Sequence, residues 1–234
     1  SQRSNSPLLP KSIRGLIIGK SGCRKTTLLL NLLLRGWLDY NNLQIFGKSL
    51  FQPEYKIIKK AFVEEKLPKK AIIGLFDIQD EIMKHNASPA AVIEEMATNL
   101  KCTQRPADIE CKFFETADDV PDPRDLNSAK KYLMIFDDLL LDRQNKCEDY
   151  YVRGRHSNID SIYLVQNYFR LPRQTIRENA NLLCIFKQDE KNISRLFNDH
   201  AASDMSIEEI KKMCKTAWEA KHGFLVLDLS SKKE

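Results

Sequence analysis

Apolar positions along the chain fall into two kinds of run. Ile13–Ile18, Leu43–Phe46, Tyr132–Phe136, Ile159–Val165 and Leu182–Phe186 are short, mostly apolar and rich in β-branched or aromatic residues. Such runs predict strands buried on both faces. Between them lie longer segments of helical composition. These are Lys25–Arg35, stopped by Gly36, a segment opened by Pro53 and running to about Glu65, Pro89–Leu100, and stretches near 191–198 and 206–220. Gly223 starts a last strand, Phe224–Leu229. Ile72–Phe76 is also short and apolar and reads as a further strand. Residues 115–130 hold Pro121, Pro123 and five acidic residues, and read as an exposed loop.

Strands alternating with helices predict an α/β fold, a mostly parallel sheet with helices on both faces. The expected organisation is one domain over residues 13–229. A polar, proline-containing flexible tail (1–12) precedes it and a solvated tail (230–234) follows. There is no internal repeat and no second domain in the pattern.

Composition narrows the class without naming a function. Thirty-seven Lys and Arg against 32 Asp and Glu leave a net charge of +5, which permits a nucleic-acid partner without demanding one. Leu28–Leu34, interrupted by Asn31, is too short to cross a bilayer, so no membrane span is expected. The first residues carry no secretory leader pattern. The six cysteines lack CxxC spacing, which argues against a disulfide scaffold or a zinc site and for reduced thiols.

The first strand runs into Gly19-Lys20-Ser21-Gly22-Cys23-Arg24-Lys25-Thr26-Thr27, and a leucine-rich helix follows. This is the strand–loop–helix order of a phosphate-binding P-loop, with the first glycine, the lysine and the hydroxyl in register. Successive N–H groups of such a loop form an anion nest at a helix N-terminus. Lys25 would face the β- and γ-phosphates of ATP, and Thr26 would ligate Mg²⁺. Arg24 stands where the second glycine belongs. A side chain there forces a strained left-handed backbone, at a cost of about 1–2 kcal/mol.

Tyr132–Phe136 ends in Asp137-Asp138, the form of a Walker B motif. Asp137 would hold the Mg²⁺ shell, and Asp138 would orient or deprotonate the attacking water. The long interval between Lys25 and Asp137 suits the P-loop class with an additional strand between those two strands. Gln166 closes the strand Ile159–Val165, where a polar group can sense the γ-phosphate. Arg153 and Arg155 precede that strand and are candidates for an arginine finger. Tyr168–Arg173 mixes aromatics with arginines and reads as a loop with buried aromatic anchors.

Taken together, GLIIGKSGC-x-KTTLLLNLL, IFGKSLFQPEYK, YLMIFDDLL and YYVRGRHSNIDSIYLVQNYFRLPRQTIRENANLL resemble the FtsK–HerA-type genome-packaging ATPases. The nearest group is that of Maverick/Polinton elements and virophages, related to poxvirus-type packaging ATPases. The resemblance covers about residues 13–200, and its most specific parts are Ser49–Tyr55 and the Gly154-Arg155-His156…Gln166 pair. It implies a homo-oligomeric ring motor that uses ATP to drive double-stranded DNA into a capsid, with capsid or portal-vertex proteins as partners. It places such a motor in the host nucleus or a cytoplasmic virus factory, or with the virion. By position, Lys25 and Thr26 take phosphate and Mg²⁺, Asp137 and Asp138 are the Walker B acids, Gln166 is the sensor and Arg155 the leading finger. Arg24 departs from the family pattern, so impaired turnover is expected. Two alternatives stay open: a small-molecule or nucleotide kinase, and a non-catalytic nucleotide-binding subunit of a decayed mobile element.

Overall fold

In the computed structural model, residues 5–77, 88–101, 108–154, 158–200 and 205–230 are described. Seven strands form one sheet in the order β3-β2-β4-β5-β1-β6-β7. They are β1 (Arg14–Ile18), β2 (Asn42–Gly47), β3 (Glu110–Phe114), β4 (Tyr132–Asp137), β5 (Ile159–Val165), β6 (Leu182–Phe186) and β7 (Phe224–Asp228). All pairings are parallel except β6 with β7. β5 lies between β1 and β4, which is the additional strand expected from the sequence.

Alternate residues of each central strand face opposite layers. Ile17, Ile45, Ile135 and Leu164 point to one face. There they meet α1 (Lys25–Leu34), α2 (Pro53–Ile58), α3 (Lys69–Asp77) and α4 (Pro89–Lys101). Leu16, Ile18, Phe136, Tyr163 and Leu183 point to the other face, covered by Cys147, Tyr150 and Tyr151 of α5 (Asn145–Val152) and by Leu196 of α6 (Glu190–Asp199). A smaller cluster joins α6, α7 (Ile207–Ala217) and Leu225 of β7.

Ile72–Phe76, expected as a strand, lies within helix α3. A short apolar run does not fix its own period. Here Ile72 is buried in the helical layer and Ile73 packs over Gly36 at the end of α1. The helix opened by Pro53 runs on from α2 into a π-helical turn, Lys59–Glu64, closed by a bond from Glu65 N–H to the Lys60 carbonyl at 3.0 Å.

Two elements carry no clear apolar pattern and were not expected. β3 is a half-exposed edge strand, ordered by its ladder to β2. α5 is polar on average but buries Cys147, Tyr150 and Tyr151, with the Tyr151 hydroxyl donating to the Gly15 carbonyl at 2.7 Å. The segment 115–130 forms two 3₁₀ turns capped by Thr116 and Asp122, and Ala117, Val120 and Pro123 are buried rather than exposed.

In the segment 5–12, expected as part of a flexible tail, Asn5 and Pro10 are buried while Leu8 and Lys11 stay exposed. Asn5 is buried and donates to Asp160 Oδ2 at 3.0 Å, while its own Oδ1 accepts from Asp39 N–H at 2.8 Å. Cys23, Cys111, Cys147, Cys184 and Cys214 are free thiols, as expected, and Cys102 lies outside the described residues. No described helix is long and apolar enough to cross a membrane.

Candidate nucleotide site

Strand register brings the carboxyl ends of β1, β4 and β5 level with one another. Ile18 pairs with Val165, and Asp137 with Leu164. Gly19 N–H continues the ladder by donating to the Val165 carbonyl at 3.0 Å, so the loop Gly19–Arg24 starts fixed to the end of β5. A parallel sheet with such a crossover presents its ligand crevice at these ends.

The loop then turns tightly. Gly19 is buried, and a Cβ built there would lie 2.8 Å from Phe186 Cβ and overlap Cys23 Sγ. No larger residue fits. Arg24 adopts φ 76°, ψ 35°, the left-handed conformation that its position in the motif predicts for a glycine. α1 begins at the next residue, so Lys25, Thr26 and Thr27 form its first turn. That turn carries no acidic residue and leaves its N–H groups toward the loop. Lys25 Nζ donates to the carbonyls of Gly19 at 2.6 Å and Lys20 at 3.1 Å.

These residues border a cavity of about 440 Å³ lined by Ser21, Gly22, Arg24–Thr27, Ser49, Gln52, Glu54, Asp137, Asp138, Leu164 and Gln166. Of the residues singled out in the sequence, Lys25, Thr26, Asp137, Asp138 and Gln166 are thus brought together. Lys20 and Cys23 instead face a neighbouring cavity on the β6–β7 side, with Phe186, Trp218 and His222. Arg153 is exposed at the end of α5, 4.0 Å from Asp149, and does not line this cavity. Arg155 lies outside the described residues.

The two acids at the end of β4 differ sharply. Asp137 is buried, and burial pushes its carboxyl above the ordinary aspartate range. The Tyr55 hydroxyl, donating to its Oδ2 at 2.5 Å, and the Lys25 ammonium both pull the other way. Asp138 is exposed, with φ 54°, and its N–H donates to the Leu164 carbonyl at 3.2 Å. That left-handed turn sends consecutive acids to different surroundings, one toward the cradle and one toward solvent at its mouth.

The segment after β2 supplies residues to which the motif reading assigned no role. Thr26 donates Oγ1–H to Gln52 Oε1 at 2.8 Å, and Thr27 donates to Glu54 Oε1 at 3.0 Å. The only sequence signal for them was the specificity of Ser49–Tyr55 in the resemblance. The donor set suits a hard cation. Thr26 offers a hydroxyl and Asp137 a carboxylate beside a phosphate cradle, the partial protein shell that Mg²⁺ takes when phosphates and water complete it. Among the described residues, no three His, Cys, Asp or Glu side chains form an all-protein metal cage.

Residues 113–230, from the end of β3 through β7, match the family described as Poxvirus A32 protein. That match spans half of the chain. The chain belongs to the poxvirus A32 protein family. No curated protein sequence matches it. The fold of this A32-family chain is that of the genome packaging NTPase B204 from Sulfolobus turreted icosahedral virus 2. The sulfate complex of B204 superposes with a TM-score of 0.53 at 11% identity, over 96% of this chain and 95% of that one. The B204 complex with AMPPCP gives 0.51 at 12% identity, over 95% and 94%. In the A32-family chain the matched half holds Asp137, Asp138 and Gln166, whereas the phosphate loop lies outside it.

Proposed function

We propose that this protein is an ATP-hydrolysing motor that moves double-stranded DNA into a viral or virus-like transposon capsid, close to the Maverick/Polinton and virophage group. One observation carries the reading: Lys25, Thr26, Asp137, Asp138 and Gln166, from three separate β-strand ends, border one cavity at the mouth of a phosphate loop. Membership of the A32 family and the fold shared with a packaging NTPase support the DNA-packaging part. The ATPase domain spans about residues 13–229.

Each residue then has a chemical task. The loop N–H groups and the α1 N-terminus hold the phosphates. Lys25 neutralises the β/γ-phosphate oxygens, and Thr26 and Asp137 would hold Mg²⁺, which when bound offsets charge on those oxygens. Asp138, exposed at the mouth, orients the attacking water and takes its proton. Gln166 senses the γ-phosphate. Arg155 acts in trans on the neighbouring subunit of a head-to-tail ring, a contact that closes by rotation. Capsid or portal-vertex proteins dock the ring, in the nucleus or a virus factory.

Arg24 favours a second reading for this copy of the enzyme, a nucleotide-binding subunit with weak turnover. Its left-handed backbone is strained, and its guanidinium favours ground-state phosphate binding over the loop geometry needed for hydrolysis. The deciding measurement is phosphate release at saturating ATP, with and without double-stranded DNA. Lys25→Ala is expected to abolish Mg²⁺-dependent ATP binding, and normal binding by that variant would overturn the site.

A further inference from the structure

The segment Gln52–Tyr55 touches both groups assigned to the cation, yet the mechanism above leaves it idle. It follows β2, on the opposite side of β4 from the phosphate loop. It reaches the cavity because Pro53 opens α2 there and fixes the backbone of the first turn. Tyr55 is buried, with its ring edge-on to Phe113 at 6.4 Å, so its hydroxyl is aimed rather than free to wander. Glu54 accepts from Thr27, which ties the same segment to the first turn of α1 independently of the cation-facing groups.

The two bonds set directions that matter for a metal. A hydroxyl that ligates a cation offers a lone pair, so its proton must go to some other acceptor. Thr26 has such an acceptor in Gln52 Oε1 at 2.8 Å. A carboxylate bound through one oxygen needs its second oxygen satisfied. In Asp137 the Tyr55 hydroxyl occupies Oδ2 at 2.5 Å, leaving Oδ1. Partners that orient metal ligands in this way typically change metal affinity about 10- to 100-fold when removed.

We propose that Gln52 and Tyr55 are positioning residues for the Mg²⁺ of the nucleotide site: Gln52 directs the Thr26 proton away from the ion, and Tyr55 fixes which Asp137 oxygen faces it. The segment Ser49–Tyr55 thereby gains a role, and Thr26 in the first turn of α1 and Asp137 at the end of β4 are held by one element. The inference rests on reading Thr26 and Asp137 as the Mg²⁺ ligands.

The test uses Mn²⁺ as a spectroscopic stand-in on the full chain. Free Mn²⁺ is measured by electron paramagnetic resonance at saturating non-hydrolysable ATP analogue, and analogue affinity is measured separately in EDTA. Gln52→Ala and Tyr55→Phe are expected to weaken Mn²⁺ about tenfold while leaving analogue affinity in EDTA within about twofold of the parent. Gln52→Glu, which keeps an acceptor for Thr26, is expected to retain parental Mn²⁺ affinity. Parental Mn²⁺ affinity in both Gln52→Ala and Tyr55→Phe would overturn the proposal. So would an equal loss in EDTA, which marks a merely structural role. If Tyr55→Phe fails to fold, the Gln52 pair decides alone. Mn²⁺ binding indifferent to Thr26→Ala and Asp137→Asn would overturn the ligand assignment itself, and this inference with it.

Discussion

Asp137 and Asp160 sit on neighbouring strands, are both buried, and are both pushed above the ordinary aspartate range by that burial. Their surroundings differ. Asp160, at the amino end of β5, accepts from Ile13 N–H at 2.8 Å and Asn5 Nδ2 at 3.0 Å, and faces Lys131 Nζ at 3.4 Å. It closes a network that pins the chain entering β1. Asp137, at the carboxyl end of β4, receives the Tyr55 hydroxyl and otherwise borders the cavity. Of the four non-glycine residues at positive φ among the described residues, Arg24 and Asp138 border the cavity at the carboxyl end, and Lys66 and His222 do not. One end of the sheet spends its buried carboxylate on holding the fold. The other leaves coordination open and accepts strain, the pattern expected where a ligand completes the arrangement.

The comparison can be broken at either end. The largest expected effect is on turnover. In an Arg24→Gly background, Asp138→Asn should leave ATP binding intact and slow phosphate release by about 10²–10⁴-fold, the usual contribution of a positioned base. An unchanged rate would move the base elsewhere in the cavity.

At the opposite end, Asp160→Ala should leave Ile13 N–H without its acceptor and remove the carboxylate that Asn5 Nδ2 and Lys131 Nζ face. Urea unfolding is expected to show a loss of about 3 kcal/mol. A loss below about 1 kcal/mol would mean that the amino-end network is not structural.

Arg24→Gly comes next. Relief of the left-handed strain should restore loop geometry worth about 1.4 kcal/mol in the transition state, hence roughly tenfold faster phosphate release with DNA present. Equal rates in the two proteins would show that arginine is accommodated at this position.

The smallest effect is the sharpest contrast with Asp160. Asp137→Asn keeps an acceptor for Tyr55 and removes a buried charge, so stability should stay within about 0.5 kcal/mol of the parent. Mg²⁺-dependent tightening of nucleotide binding should nevertheless disappear. A destabilisation matching that of Asp160→Ala would erase the distinction between the two ends.

Much of this arrangement is legible in the residues. The mostly apolar runs of β1, β4, β5 and β6 mark buried parallel strands because both faces of each are covered. The phosphate loop and the paired acids are legible because their chemistry is local: a turn at a helix start and a polar pair at a strand end. Even the left-handed backbone at Arg24 follows from its place in the motif. By contrast, α3 reads as a strand because the five-residue stretch Ile72–Phe76, four apolar residues around Gly74, carries no period of its own. β3 is illegible because an edge strand is ordered by its neighbour rather than by burial.

Residues close together along the chain dictate the alternating strands and helices, and the strand–loop–helix at Gly19–Thr27 with Arg24 in its left-handed turn. Only the tertiary structure decided that Gln52 meets Thr26, that Tyr55 meets Asp137, and that Asn5 and Asp160 lock the amino end. Those pairs lie far apart in sequence. They form because parallel register sets the strand ends level, so that the segment leaving β2 lies beside Asp137 and the chain entering β1 lies beside Asp160.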